Sequence, residues 1–323
     1  MYRLVIDYAI LVDFELNKPL DPYDGGSFQE NQAWNSFFAF LKCGANIEII
    51  NYDASLSFSN ILGKLTSGRE NSSISLNDNY KRPYKNTFKD QNLFTIYFLN
   101  ETEETEMKQY VNKNPFIIAF KKNYKQTWEL LSLINAQTSI PIRKEISYGL
   151  KKPEDLAQYF LKVSDVILID NFIFDIELME FNLLRLLELI QNSYSKSINV
   201  LIIAHEGKKY GYPLEKRVNK FKELLTSKKL QINFKIIFNQ TSLKEHDRQL
   251  IINNFRIKSG DSFNYFNSKS DIITKGTEID IYPLVHKEHM QNTLILLNKV
   301  QSIVNNTPNE NVFGNANNLL LSF

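Results

Sequence analysis

The sequence predicts an α/β protein of two lobes, and three observations carry that prediction. Almost continuously apolar runs at 166–174 and 199–204 predict strands buried on both faces. They alternate with stretches whose apolar residues recur at helical spacing, such as Trp34, Phe37, Phe38 and Leu41. The chain has 323 residues, more than one hydrophobic core usually organises, and its 23 Phe and 16 Tyr supply the apolar area for two.

Taken in order, the dense apolar residues of 2–14 predict a strand. Asp21, Pro22, Asp24, Gly25 and Gly26 then make a turn-rich loop. A helix is expected over 28–42, stopped by Gly44, with a short strand at 47–50. Residues 66–92 are polar and predict loop. Within them, the Ser, Gly and Arg between Thr66 and Ser73 could cradle a phosphate. No strand–loop–helix signature flanks them, so a solvated loop is the favoured reading. Strands at 93–99 and 115–121 flank an acidic segment with Glu101, Glu103, Glu104 and Glu106. A helix over 126–136 and a boundary at 141–153 complete a first lobe, 1–150, to which the sequence assigns no role.

The second lobe, 151–304, predicts a strand at 166–174, a helix at 175–192 and a strand at 199–204. A glycine turn at 207–211 leads to a helix opened by Pro213. A strand at 231–239, one or two strands within 247–258, and a late helix through Met290, Leu294, Leu297 and Val300 follow. Residues 305–323 are Asn-rich and predict a loosely held tail.

Composition excludes little. A net charge of +2 does not point by itself to nucleic acid or membrane. The single cysteine, Cys43, cannot form an intramolecular disulfide and suits a reducing, cytoplasmic setting. Arg3, Asp7 and Asp13 interrupt the first apolar run, which does not resemble a signal peptide. No run of 18 apolar residues lacks charges, so no transmembrane helix is expected.

The chemistry concentrates between Glu245 and Asn264. His246 is followed two residues later by Arg248; on a strand those positions share a face, as a nucleophile and a phosphate-neutralising cation would have to. Asn253 follows, then Gly260, Asp261 and Asn264. Between 205 and 258 there are 13 Lys and Arg against 5 Asp and Glu, a net +8 that suits phosphates, although a solvated helix face with Lys216, Lys220 and Lys222 explains part of it. The plain alternative makes His246 a partly buried histidine and Asp247 or Arg248 half of a surface ion pair. His205, at the end of a strand, is expected to be structural. His286 and His289 stand at i and i+3, but no Cys cluster or carboxylate pair completes a metal site, so no metal is expected.

The ordered spacing resembles the phospholipase D superfamily motif, His-x-Lys-x4-Asp followed by x6-Gly-Ser-x2-Asn. His246 falls on the family's nucleophile, Arg248 on its Lys and Asn253 on its Asp. Gly260 falls on its Gly, Asp261 on its Ser and Asn264 on its Asn, so three of the six are changed. Residues 234–266 are also similar to the C-terminal phospholipase D-like domain of MIT-domain proteins, which acts by binding. The resemblance covers roughly 160–285 and implies a mixed-sheet phospholipase D-like lobe. It implies a phosphate pocket formed by His246, Arg248, Asn253, Gly260 and Asn264, with no cofactor and no metal. The family reaction uses one histidine to attack phosphorus and a second to protonate the leaving oxygen. All four histidines lie in the second half, so two His246 residues across a homodimer axis would have to supply the pair. Asn253 for Asp and Asp261 for Ser weigh against turnover.

The expectation is therefore a non-catalytic module that binds nucleic-acid backbone or a phosphorylated small molecule. Bacterial domains of this resemblance imply a role in defence against phage or mobile elements. The alternatives are a metal-independent homodimeric phosphodiesterase or nuclease using His246, and a scaffold subunit of a protein complex.

Overall fold

The computed structural model describes residues 1–56, 60–69, 72–77, 92–100, 111, 114–134, 142–145, 149–194, 196–205, 212–239, 248–274 and 277–322. They form two compact units, Met1–Ile140 with Pro283–Thr293, and Pro141–Tyr282 with Leu294–Phe323.

In the first unit the strand predicted for 2–14 is cut short. β1 (Tyr2–Asp7) ends where the Asp7 carboxylate accepts a hydrogen bond from Ala9 N at 3.0 Å and starts α1 (Tyr8–Leu16). Ile10, Leu11 and Phe14 are buried on that helix, so an apolar run alone could not separate the two outcomes. α2 (Phe28–Ala39) starts on Ser27, whose Oγ accepts from Glu30 N, and widens into one π-helical turn over Phe40–Gly44 before β2 (Ala45–Ile50).

After α3 (Ile61–Thr66) comes β3 (Ile74–Asn77), inside the stretch expected to be loop. Ser75 and Leu76 are exposed and the other two residues partly buried, and its parallel pairing with β2, from Ile47↔Ile74 to Ile50↔Asn77, makes it a strand. Arg69 donates to the carbonyls of Leu41, Lys42, Ala45, Ser72 and Ser73, so its guanidinium clamps backbone there. β4 (Thr95–Leu99), β5 (Ile117–Phe120) and α4 (Tyr124–Ser132) complete this unit's main elements. The acidic segment at Glu101, Glu103, Glu104 and Glu106 lies outside the described residues.

The sheet is parallel in the order β3-β2-β1-β4-β5. Successive β4 side chains serve opposite faces: Phe98 meets Phe37 and Tyr124, while Tyr97 packs with Val5, Ile50, Phe116 and Ile118. Burial on both faces explains why β4 and β5 are so apolar.

The second unit contains β6 (Ile142–Glu145), β7 (Asp165–Ile169), α5 (Arg185–Asn192), β8 (Ile198–His205), α6 (Leu214–Ser227) and β9 (Ile232–Asn239). β10 (Arg248–Ile252), β11 (Phe255–Ser259), β12 (Glu278–Pro283) and β13 (Val312–Gly314) complete a mixed eight-stranded sheet. Its order is β13-β9-β8-β7-β10-β11-β12-β6. β7, β8 and β9 are parallel, whereas β10 runs antiparallel to β7 and β11. The helix expected over 175–192 is regular only from Arg185, after a π-helical turn at Glu180–Leu184. α7 (Lys287–Asn306) is the late amphipathic helix. No helix among the described residues is long and apolar enough to cross a membrane.

The loose tail expected for 305–323 is instead built into the sheet. β13 pairs with β9, from Val312↔Ile237 to Gly314↔Lys235. Asn318 Nδ2 donates to Val166 O at 2.8 Å, Leu319 N donates to Asp165 Oδ1, and Leu320 is fully buried. Asn318→Ala is expected to cost about 2 kcal/mol, because it strands buried backbone partners. A urea midpoint identical to that of the parent protein would show that these residues lie outside the cooperative unit.

Candidate phosphate-binding site

Three parallel strands end at one edge of the second unit's sheet. Asp170 follows β7, His205 closes β8 and Asn239 closes β9. Because β10 is antiparallel to β7, with Gln249 opposite Ile169, it begins at that edge with Arg248. The carboxyl edge of an open α/β sheet is where ligands usually gather. The Arg248 guanidinium stands 5.3 Å from the centre of the Phe172 ring.

Asp170 is the structural centre of this edge. It is buried, and its carboxylate accepts from Phe172 N at 2.9 Å, Ser262 Oγ at 2.8 Å and Phe263 N at 2.8 Å. Burial pushes the carboxyl up to about 6, against the pull of those three donors and of Arg248. Asn182 anchors the same segment further on, donating to Phe266 O and accepting from Phe266 N. Both residues escaped the reading of the sequence. The available signal for Asp170 was a single acid inside the apolar run at 166–174.

These contacts correct the expected roles of the motif residues. Asn253 lies at the opposite end of β10 from Arg248, five residues along an extended strand and so about 16 Å away. There its Nδ2 donates to Lys162 O, its Oδ1 accepts from Asp165 N, and it is buried. It caps the start of β7 and does not share a pocket with Arg248.

The backbone amides from Gly260 to Asn264 are all engaged within the protein. Gly260 N donates to Glu278 O, Asp261 N to Ser259 Oγ, Ser262 N to Asp261 Oδ1, Phe263 N to Asp170 and Asn264 N to Ser262 Oγ. A Cβ added at Gly260 would meet nothing closer than 3.9 Å, so no protein neighbour requires glycine there. Asn264 Nδ2 donates to Phe172 O at 2.7 Å, and its buried Oδ1, an acceptor, has no hydrogen-bond partner among the described residues. An amide oxygen does not suit a phosphate. Of the expected pocket residues that the structure describes, Arg248 is the cation, and it stands at the carboxyl edge. His246 lies outside the described residues, two positions before Arg248.

The other histidines separate by place. His205 is half-buried at the same edge as Arg248. His286 and His289 meet ring to ring at 5.5 Å, and His289 Nδ1 lies 3.1 Å from Pro283 O. Burial, then the neighbouring His289, holds the His286 imidazole below its usual value. Among the described residues no group of three His, Cys, Asp or Glu is placed to hold a metal ion.

No protein-family model matches this chain, and a search of curated proteins finds no significant match.

Proposed function

We propose that the second unit is a phosphate-recognising binding module centred on Arg248, which holds its ligand without hydrolysing it. The observation that carries this reading is the position of Arg248 at the carboxyl edge of β7, β8 and β9, beside Asp170 and over the Phe172 ring. A guanidinium is always charged, and its planar fork matches a phosphate. Asp170 narrows the ligand. A carboxylate beside the cation disfavours a doubly charged terminal phosphate more than a singly charged diester, so nucleic-acid backbone is the favoured ligand. The placement of Asn253 argues against turnover, because from the far end of β10 it cannot orient a histidine near Arg248.

The second reading is a metal-independent phosphodiesterase. It draws support from His205, which ends β8 two strand spacings from β10, about 10 Å, on the same edge. His205 offers a second histidine within one chain, beside the homodimeric pairing of two His246 residues. The third reading, a scaffold subunit, needs no ligand at this edge.

A gel assay on labelled single-stranded DNA, duplex DNA and RNA, with EDTA present, separates the three. The expected result is a shifted, intact band that Arg248→Ala weakens about tenfold, as loss of one charge-assisted contact predicts. Cleavage that His246→Ala abolishes would establish the phosphodiesterase instead. Neither shift nor cleavage would leave the scaffold reading.

A further inference from the structure

The first unit holds a cavity of about 250 Å³ between α1, α2 and α4. Phe14, Trp34, Phe37, Tyr124 and Trp128 give it a largely apolar wall. Two carboxylates also line it, Glu30 from α2 and Glu129 from α4. They lie close enough to interact: burial first, and then the charge on Glu30, holds the Glu129 carboxyl above its ordinary value. A concave apolar pocket with a few convergent polar groups is the usual form of a small-molecule site.

These two carboxylates lack a counter-ion. Among the described residues no ion pair engages Glu30 or Glu129. Other acids of the same unit are paired: Glu15 with Lys64, Asp13 with Lys121 and Glu48 with Arg3. The lysines that could neutralise the cavity stand over rings instead. Lys125, which lines it, has its Nζ 6.0 Å from the centre of the Tyr124 ring, and Lys18 Nζ lies 5.3 Å from that of Trp34. Two like charges at an apolar wall repel one another, and a cation placed between them relieves the repulsion. A metal ion does not suit the place: no group of three His, Cys, Asp or Glu among the described residues could hold one.

We propose that this cavity binds a small arylalkyl ammonium ion, a primary amine carrying one aromatic ring. The ring packs on the aromatic wall, and the ammonium donates to the carboxylates of Glu129 and Glu30. The volume suits one ring with a short chain. A carboxylate or phosphate on the ligand would add a third negative charge, and a neutral ring would leave the two glutamates unrelieved. The site belongs to the first unit, so it stands or falls separately from the phosphate reading of the second.

The chain has 2 tryptophans, Trp34 and Trp128, and both line the cavity, so intrinsic fluorescence reports on it, with titration calorimetry as a second readout. Phenethylamine, n-butylamine, phenethyl alcohol and phenylacetate would each be titrated at millimolar concentration into the full-length protein. Phenethylamine should bind saturably. The alcohol, without the charge, and n-butylamine, without the ring, should each bind about tenfold more weakly or less, and phenylacetate not at all. Glu129→Gln should weaken phenethylamine binding about tenfold, and the more exposed Glu30→Gln about threefold. Lys125→Gln removes a like charge from the wall and should tighten it about twofold. Circular dichroism would check that the variants fold. Binding of the alcohol, n-butylamine or phenylacetate as tight as that of phenethylamine would overturn the proposal. Unchanged amine affinity in both folded glutamate variants would do the same, as would no phenethylamine binding by either readout.

Discussion

Between about pH 4 and pH 6 Asp170 should make the protein less stable as pH rises, and Asp170→Asn should remove that contribution. The Asp170 carboxyl titrates near 6 when folded and near 3.8 when unfolded. The folded state therefore binds more protons in that window, and stability falls with rising pH where the native state holds the excess. The contribution is fully present below about pH 4 and is lost as pH passes through 6; a shift of about two units corresponds to about 3 kcal/mol. Asp165, raised mainly by burial at the other end of β7, adds a slope of the same sign, so the comparison with Asp170→Asn isolates the residue. Asp170→Ala differs again. It leaves Phe172 N, Phe263 N and Ser262 Oγ without their acceptor and should lower stability by about 3 kcal/mol at pH 4. Urea unfolding followed by circular dichroism at pH 4, 5, 6 and 7 provides the check. Parallel pH profiles for the parent protein and Asp170→Asn would mean that Asp170 is solvated and does not hold the loop.

Phe98→Ala should destabilise the first unit by about 3–5 kcal/mol, the usual range for removing a buried Phe. Phe98 is fully buried in β4, and its ring lies 5.6 Å from Phe37 and 5.9 Å from Tyr124. Those neighbours are held by α2 and α4 and can close only part of the space. Phe98→Leu should recover more than half of the loss, because it refills much of the volume. Both tryptophans belong to this unit, so denaturation followed by their fluorescence measures the effect where it arises. A loss below about 1 kcal/mol for the alanine variant would show that the core there is loosely packed.

Much of the architecture was legible in the residues alone. The strands expected at 166–174 and 199–204 show themselves because burial on both faces demands apolar residues, although the first ends at Ile169, where Asp170 begins a turn. α2 and α6 are legible because a single buried stripe imposes helical spacing. Arg248 drew attention from its place two residues after His246, a local relation in the sequence.

Tertiary structure decided the rest, where the cause of a residue's role lies far along the chain. Asp7 ends β1 by capping a helix, although apolar residues resume directly after it. β3 is a strand because β2 offers it a ladder, and the tail is held because β9 and Asp165 offer it partners. Asn253 follows Arg248 by five residues, yet an extended strand carries it to the opposite edge of the sheet, where β7 begins. The amides from Gly260 to Asn264 are engaged by Asp170, Glu278 and their own neighbours. The sequence by itself determined which segments were apolar enough to be buried and where the chemically distinctive residues fell. Only the folded chain decided which hydrogen-bonding groups met protein and which stood at the edge, because each buried polar group must find its partner in space.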